Sequence, residues 1–209
     1  VLHEAVSSDN TAMTEFLIRT GADVNARTND GKSAMDMAIA KNNTAMVEML
    51  MENNANYEDA MLTSAIMTNK EDMIRIFLDK GKTRPEIVMA LAEEKGKYEI
   101  FTSMIEQQGA VPTNSLFERS VTARRIQFAD YMLDNPAIDK DEALRVSIGN
   151  GNKPLIEKCL MKGAAAGPAL TYAISKNDLA LATSSIEQYS ADASTSLPLA
   201  VGKGSIPMV

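Results

Sequence analysis

Apolar and polar positions alternate along the chain with a helical period, and the helical stretches themselves recur. Each recurring unit opens with an apolar residue and carries Ala or Ser three positions later. The pairs are Leu2 and Ala5, Met35 and Ala38, Leu62 and Ala65, Met89 and Ala92, Phe117 and Ser120, Leu144 and Ser147, Leu170 and Ala173, and Leu197 and Ala200. An offset of three puts both residues on one helical face. Successive small residues lie 33, 27, 27, 28, 27, 26 and 27 positions apart. Four positions after them stand Asp9, Asn42, Asn69, Gly96, Arg124, Gly151, Asn177 and Gly204. All but Arg124 are Gly, Asn or Asp, the types that accept a left-handed backbone between two helices.

A denser apolar stripe follows each turn. It reads Met13, Phe16, Leu17 and Ile18 in the first unit, Met46, Val47, Met49, Leu50 and Met51 in the second, and Leu155, Ile156, Cys159 and Leu160 in the sixth. Gly21, Asn54, Gly81, Gly109 and Gly163 then close their units as helix stops. The small residue has a packing reason: first helices of neighbouring units lie side by side, and Ala or Ser lets their backbones approach. Leu at that crossing would overpack it at a cost of about 1–3 kcal/mol. A fixed period of this size predicts an all-α solenoid of about seven to eight helix-turn-helix repeats. We read residues 1–209 as a single solenoid domain.

Composition narrows the function. The chain has 209 residues, 45% of them apolar, enough for a sizeable core. Fourteen methionines are many, and Met35, Met49, Met73 and Met104 fall on helical stripes as core residues. The net charge is −7, and most of the excess lies in residues 1–59, with 10 acids against 4 bases. No basic stripe runs along the sequence, which argues against nucleic acid as a partner. No run of about eighteen apolar residues occurs, so no membrane span is expected. No signal peptide is visible, and we expect a cytoplasmic protein.

Candidate chemistry is sparse. Cys159 is the only cysteine and His3 the only histidine, so neither a disulfide nor a Cys/His zinc site can form within the chain. His3 lies about five units from Cys159, and Cys159 sits on an apolar stripe as a core thiol. Gly149-Asn150-Gly151-Asn152 and Gly202-Lys203-Gly204-Ser205 fall at interhelix turns, and no phosphate-binding G-x-x-x-x-G-K-[ST] is present. The carboxylate pairs Glu93-Glu94 and Asp141-Glu142 are expected on the surface. The expectation is a non-enzyme that needs no metal or cofactor.

The first two units carry a family likeness. Val1-Leu2-His3-Glu4-Ala5 resembles the T-P-L-H-x-A signature of ankyrin repeats. Phe16-Leu17-Ile18-Arg19-Thr20-Gly21-Ala22-Asp23-Val24-Asn25-Ala26 is similar to the family's L-L-x-x-G-A-D-V-N-A closing, and Asn29-Asp30-Gly31-Lys32-Ser33-Ala34-Met35-Asp36-Met37-Ala38 to the next hairpin and helix start. The first step of 33 equals the family's repeat length. The resemblance implies that His3 helps to bond the turn to the next unit, and that a β-hairpin finger precedes the second repeat. Residues 60–209 resemble degenerate repeats five to seven residues short of that length, with the finger lost. A different short α-solenoid fused to two ankyrin units is the alternative reading; tetratricopeptide repeats fit the period poorly.

The resemblance also implies a protein-binding scaffold, one that inhibits or adapts a partner protein by covering it. Its contact positions would be hairpin tips and the ends of first helices. In this sequence these are Ser7 and Ser8 in unit one, and Arg27, Asn29, Asp30, Lys32, Ala40 and Lys41 in unit two. Beyond them only helix ends can be proposed: Met67 and Thr68, Glu94 and Lys95, Thr122 and Ala123, Gly149 and Asn150, and Ser175 and Lys176. The alternatives are an interaction arm of a larger multidomain enzyme or effector, and a structural subunit of an assembly. Neither end of the pattern shows the polar outer face a terminal repeat needs. We therefore expect a fragment of a longer chain, or a C-terminal end covered by further chain or by a partner.

Overall fold

A computed structural model describes residues 1–57, 59–80 and 83–195. Their contacts cluster into two compact units, Val1–Ala110 and Val111–Val209. The first holds α1 (Leu2–Ser7), α2 (Thr11–Arg19), α3 (Ala34–Ala40), α4 (Thr44–Glu52), α5 (Asp59–Met67), α6 (Glu71–Asp79), α7 (Pro85–Glu94) and α8 (Tyr98–Glu106). The second holds α9 (Asn114–Thr122), α10 (Ile126–Met132), α11 (Lys140–Gly149), α12 (Lys153–Met161), α13 (Gly167–Lys176) and α14 (Leu179–Glu187), followed by a 3-10 turn over Ala193–Thr195. Among the described residues the fold is all-α: seven consecutive antiparallel helix pairs and no strands. The eighth unit read at Leu197–Gly204 lies outside them.

One turn joins the helices of every pair. The residue four positions after the small one has positive φ in all seven: Asp9, Asn42, Asn69, Gly96, Arg124, Gly151 and Asn177. The N–H of the next residue then donates back to the carbonyl of the small residue. These bonds run from Asn10 to Ala5, Asn43 to Ala38, Lys70 to Ala65, Lys97 to Ala92, Arg125 to Ser120, Asn152 to Ser147, and Asp178 to Ala173, at 2.7–3.0 Å. The left-handed residue's own N–H bonds the carbonyl three positions back, as Asn42 does to Ile39 at 3.0 Å. Together these make a Schellman motif, which satisfies helix-end carbonyls that would otherwise face no donor. Arg124 adopts the same left-handed conformation without the glycine or asparagine that would make it easy.

The small residue thus does two jobs. Its carbonyl closes the turn, and its short side chain is buried where first helices meet. Ala5, Ala38, Ala65, Ala92, Ser120, Ser147 and Ala173 are all buried, as are the apolar partners three positions earlier, Leu2 to Leu170. First helices pack in order, α1 on α3, α3 on α5 and α5 on α7 in the first unit, and α9 on α11 and α11 on α13 in the second. Second helices follow, with α4 on α6 and α10 on α12. Ser147 hides its hydroxyl by donating to Ala143 O at 2.7 Å, which lets a polar residue occupy the crossing.

Helix starts differ along the chain. Asn10, Asn43, Asn152 and Asp178 cap the second helices of pairs one, two, six and seven, each accepting from the backbone N–H three residues on. Lys70, Lys97 and Arg125 hold the same position in pairs three, four and five and make no side-chain cap. Pro85, Pro154 and Pro168 lie in the first turn of their helices, where a missing N–H costs nothing.

The helix-stop expectation holds at Gly21, Asn54, Gly109 and Gly163, all with positive φ; Gly81 lies outside the described residues. Three other expectations need correction. The stripe of α2 is not core: Met13 and Phe16 are exposed and Leu17 and Ile18 half-buried, because no described element packs on that side of the first pair. Met49 is only half-buried, although Met35, Met73 and Met104 are buried as expected. Glu93 is not on the surface but fully buried, although Glu94, Asp141 and Glu142 are exposed. Glu93 stands one residue after Ala92, where the other pairs place Val6, Ile39, Ile66, Val121, Ile148 and Ile174. Its carboxylate is satisfied, since no buried side-chain oxygen or nitrogen among the described residues lacks a hydrogen-bond partner.

Candidate protein-interaction face

Among the described residues, the connection between α2 and α3 is the one that forms a β-bridge. Arg27 and Ser33 pair in an isolated antiparallel bridge, and the tip between them is tied by short bonds. The Thr28 N–H donates to Lys32 O at 2.9 Å, the Gly31 N–H to Thr28 O at 2.8 Å, and the Lys32 N–H to Thr28 Oγ1 at 3.0 Å. Thr28 Oγ1 donates in turn to Asp30 Oδ1 at 2.6 Å. Gly31 has φ +81°, with open space around the position of a side chain, so its glycine is required by backbone conformation and not by crowding.

The finger is anchored at both ends. Ser33 and Asp36 form a capping box at the start of α3, with Ser33 N–H to Asp36 Oδ2 at 2.8 Å and Asp36 N–H to Ser33 Oγ at 3.1 Å. The Arg27 guanidinium donates to Gly31 O at 2.8 Å and stands 3.9 Å from Asp36. His3 Nε2–H donates to Ala26 O at 3.0 Å, tying the first helix to the base of the finger in the role expected of it.

All eight residues proposed from sequence are exposed. Six of them, Ser7, Arg27, Asp30, Lys32, Ala40 and Lys41, line one open depression of about 600 Å³ between the finger and the ends of α1 and α3. Ser8 and Asn29 do not line it. Ser8 turns its hydroxyl back onto Glu4 O and Ala5 O. Gly31, Asp36 and Met37 complete the wall and were missed from sequence. Met37 was findable, because it lies three and four positions before Ala40 and Lys41 and so shares their helical face.

The charges on this face come in pairs. Lys41 Nζ lies 3.0 Å from Asp9 Oδ2 and Lys32 Nζ lies 3.3 Å from Asp30 Oδ2. The Asn43 amide and then Lys41 hold the Asp9 carboxyl below its usual range, and the Thr28 hydroxyl and then Lys32 do the same for Asp30. Both are ionised at neutral pH. Pairs this exposed contribute little stability. They set where each charge points.

The proposed positions further on lie at the same ends of later first helices. Met67, Thr68, Glu94, Thr122, Ala123, Gly149, Asn150 and Lys176 are exposed, and Lys95 and Ser175 half-buried. Thr122 and Ala123 line a depression of about 420 Å³ with Ser115, Glu118 and Arg119 on α9. None has a bridged finger beside it, because among the described residues the isolated β-bridge is that of Arg27 with Ser33, between α2 and α3. A third depression of about 260 Å³ lies between α6 and α8, on the second-helix side.

Cys159 is fully buried, 3.9 Å from the Ser147 hydroxyl, and burial pushes its thiol up to about 11, so it carries no thiolate at neutral pH. No group of three or more His, Cys, Asp or Glu among the described residues is placed to hold a metal ion. No helix among them is long and apolar enough to cross a membrane.

Helix pairs stacked through a small-residue crossing, with a finger ahead of the second, define a repeat-protein class. Residues 2–88 match the family model for ankyrin repeats in three copies, and over this stretch the chain belongs to the ankyrin-repeat proteins. The match runs through the third pair, where the finger is already gone. No curated protein matches the chain. Among solved structures, an ankyrin repeat domain from Acinetobacter baumannii AYE is similar at a TM-score of 0.51 and 21% identity, covering 78% of this chain and 97% of that one. That likeness concerns the fold.

Proposed function

We propose that this chain is a non-catalytic protein-binding module, acting in the cytoplasm, and that its partner seats on the finger and the adjoining ends of α1 and α3. Ankyrin repeats generally bind proteins, which supports the class of function. The observation that favours this face is the single depression that gathers six residues from three separate stretches of sequence, Ser7, Arg27 to Lys32, and Ala40 to Lys41. Its rim presents cations and carboxylates at fixed spacing on a tied backbone, which suits a polar, mixed-charge partner surface. Rigid presentation lowers the ordering cost of binding.

The test is retention of partners from a lysate of the source cells. The triple variant Arg27→Glu, Asp30→Lys and Lys32→Glu reverses the rim and keeps the main-chain bonds of the tip, from Thr28 N–H to Lys32 O and from Gly31 N–H to Thr28 O, while removing the side-chain bonds of Arg27 to Gly31 O and of Thr28 to Asp30. Glu99→Lys, on the rim of the depression between α6 and α8, serves as the control. The reading requires the triple variant to lose the proteins that the unaltered chain and the control retain. Equal retention by all three rejects this face.

A further inference from the structure

The charges of residues 1–59 are not spread evenly over their fold. That stretch carries 10 acids and 4 bases. Three of the 4 bases, Arg27, Lys32 and Lys41, line the depression beside the finger, and Arg19 alone lies elsewhere. Of the 10 acids, Asp30 and Asp36 alone line it. An acidic stretch of chain thus turns its cations to one place.

The two carboxylates there are engaged within the finger and the start of α3. Asp36 Oδ2 accepts from the Ser33 N–H and from Ser33 Oγ, both at 2.8 Å. Asp30 Oδ1 accepts from Thr28 Oγ1 at 2.6 Å, and Asp30 Oδ2 faces Lys32 at 3.3 Å. Arg27 is held against the finger through Gly31 O. The two lysines are less occupied. Among the described residues Lys32 Nζ meets Asp30 and Lys41 Nζ meets Asp9, one carboxylate each, although an ammonium has three donors. The wall they share is apolar. Met37 is half-buried and Ala40 exposed, three positions apart on one face of α3. A methionine side chain adapts to apolar groups of irregular shape.

We propose that the partner segment seated here is acidic and apolar together. One apolar side chain lies on Met37 and Ala40, and flanking carboxylates take the spare donors of Lys32 and Lys41. This rests on the reading of the face given above and narrows it, because the rim's own carboxylates are already bonded and its lysines are the charges left to a partner. The apolar wall favours a protein segment over the phosphates of a nucleic acid. Attraction between the lysines and such a segment steers its approach and weakens as salt rises.

Random short peptides displayed on phage are selected against the 209-residue chain, and those recovered are synthesised and titrated by fluorescence anisotropy. The proposal expects sequences with an apolar residue between Asp or Glu on both sides. Their affinity should fall about tenfold or more in the double variant Lys32→Gln and Lys41→Gln, and again in Met37→Gln, which keeps the size of the side chain and removes the apolar contact. All three sites reach solvent, so these variants keep the fold. A single-stranded RNA of random sequence is titrated alongside. Recovered peptides that are neutral or basic, yet still need Met37, overturn the acidic partner and leave the face standing. Peptides indifferent to the lysine pair, to Met37→Gln and to the triple variant above bind elsewhere and overturn both readings. RNA that binds through the two lysines more tightly than the peptides overturns the proposal in favour of nucleic acid.

Discussion

The connections on either side of α3–α4 differ more than the helices they join. From α2 to α3 the chain runs out through a bridged finger, tied at Thr28 and Ser33 and bonded by His3. From α4 to α5 it runs through Asn53–Tyr57 and forms no bridge among the described residues. The helix pairs on both sides nevertheless close with the same left-handed residue and the same bond to the small residue's carbonyl. The comparison separates two kinds of constraint. What lies between the helices of a pair is fixed by packing, since moving the turn would move a buried crossing. What lies between pairs buries single residues, such as Ala55, Ile138 and Ala164, and the rest of it can lengthen into a contact surface or shrink away.

The sharpest way to break this view is to enlarge the crossing in each region. Ala38→Leu beside the finger and Ser147→Leu far from it should each cost about 1–3 kcal/mol in denaturant unfolding, because both sites are fully buried. A large cost in one region alone would mean that the pairs are not equivalent. The turn is next. Asn69→Val puts a β-branched residue at φ +53° and should cost about 1–2 kcal/mol. Helix starts should move the other way in the shortened repeats. Lys97→Asp supplies the missing cap of α8 and should gain about 1 kcal/mol, whereas Asn43→Ala should lose about as much. Arg124→Gly should relieve the left-handed backbone, with a net gain of about 0.5–1 kcal/mol after the entropy of glycine is deducted.

The smallest effect concerns acid. Lys162, whose Nζ lies 2.6 Å from Asp134, holds that carboxyl below its usual 3.8, with Lys158 assisting. A depressed folded value means the stabilisation is present above the unfolded value near 3.8 and disappears as pH falls through the lower folded one. Asp134 is half-exposed, so Asp134→Asn should flatten the acid side of the stability curve by only a few tenths of a kcal/mol. It should leave neutral-pH exchange of Cys159 with a thiol reagent slow, since that thiol reacts only when its surroundings open.

Most of the helix framework was legible because packing leaves residue-type traces. Small residues mark crossings, and Gly, Asn and Asp mark left-handed turns. Arg124 shows the limit of type alone: its spacing identified the turn although its side chain gave no sign. Glu93 shows the converse. Its register placed it among Val and Ile positions, yet its charge suggested the surface. The α2 stripe was legible as apolar, but a stripe does not say whether anything lies against it. At the candidate site, six of eight residues proposed from the finger and helix ends share one depression. Asp36 was legible only as part of the segment that resembles a hairpin and helix start, and its place in that wall follows from the capping box that turns it toward Arg27.

The claim beneath all of this is that one closed turn recurs in every pair, with or without a finger. Amide exchange resolved to single residues tests it directly. The N–H groups of Asn10, Asn43, Lys70, Lys97, Arg125, Asn152 and Asp178 should all exchange slowly, including the three that lack a side-chain cap. Solvent-like rates at Lys70, Lys97 and Arg125, with slow exchange elsewhere, would contradict it.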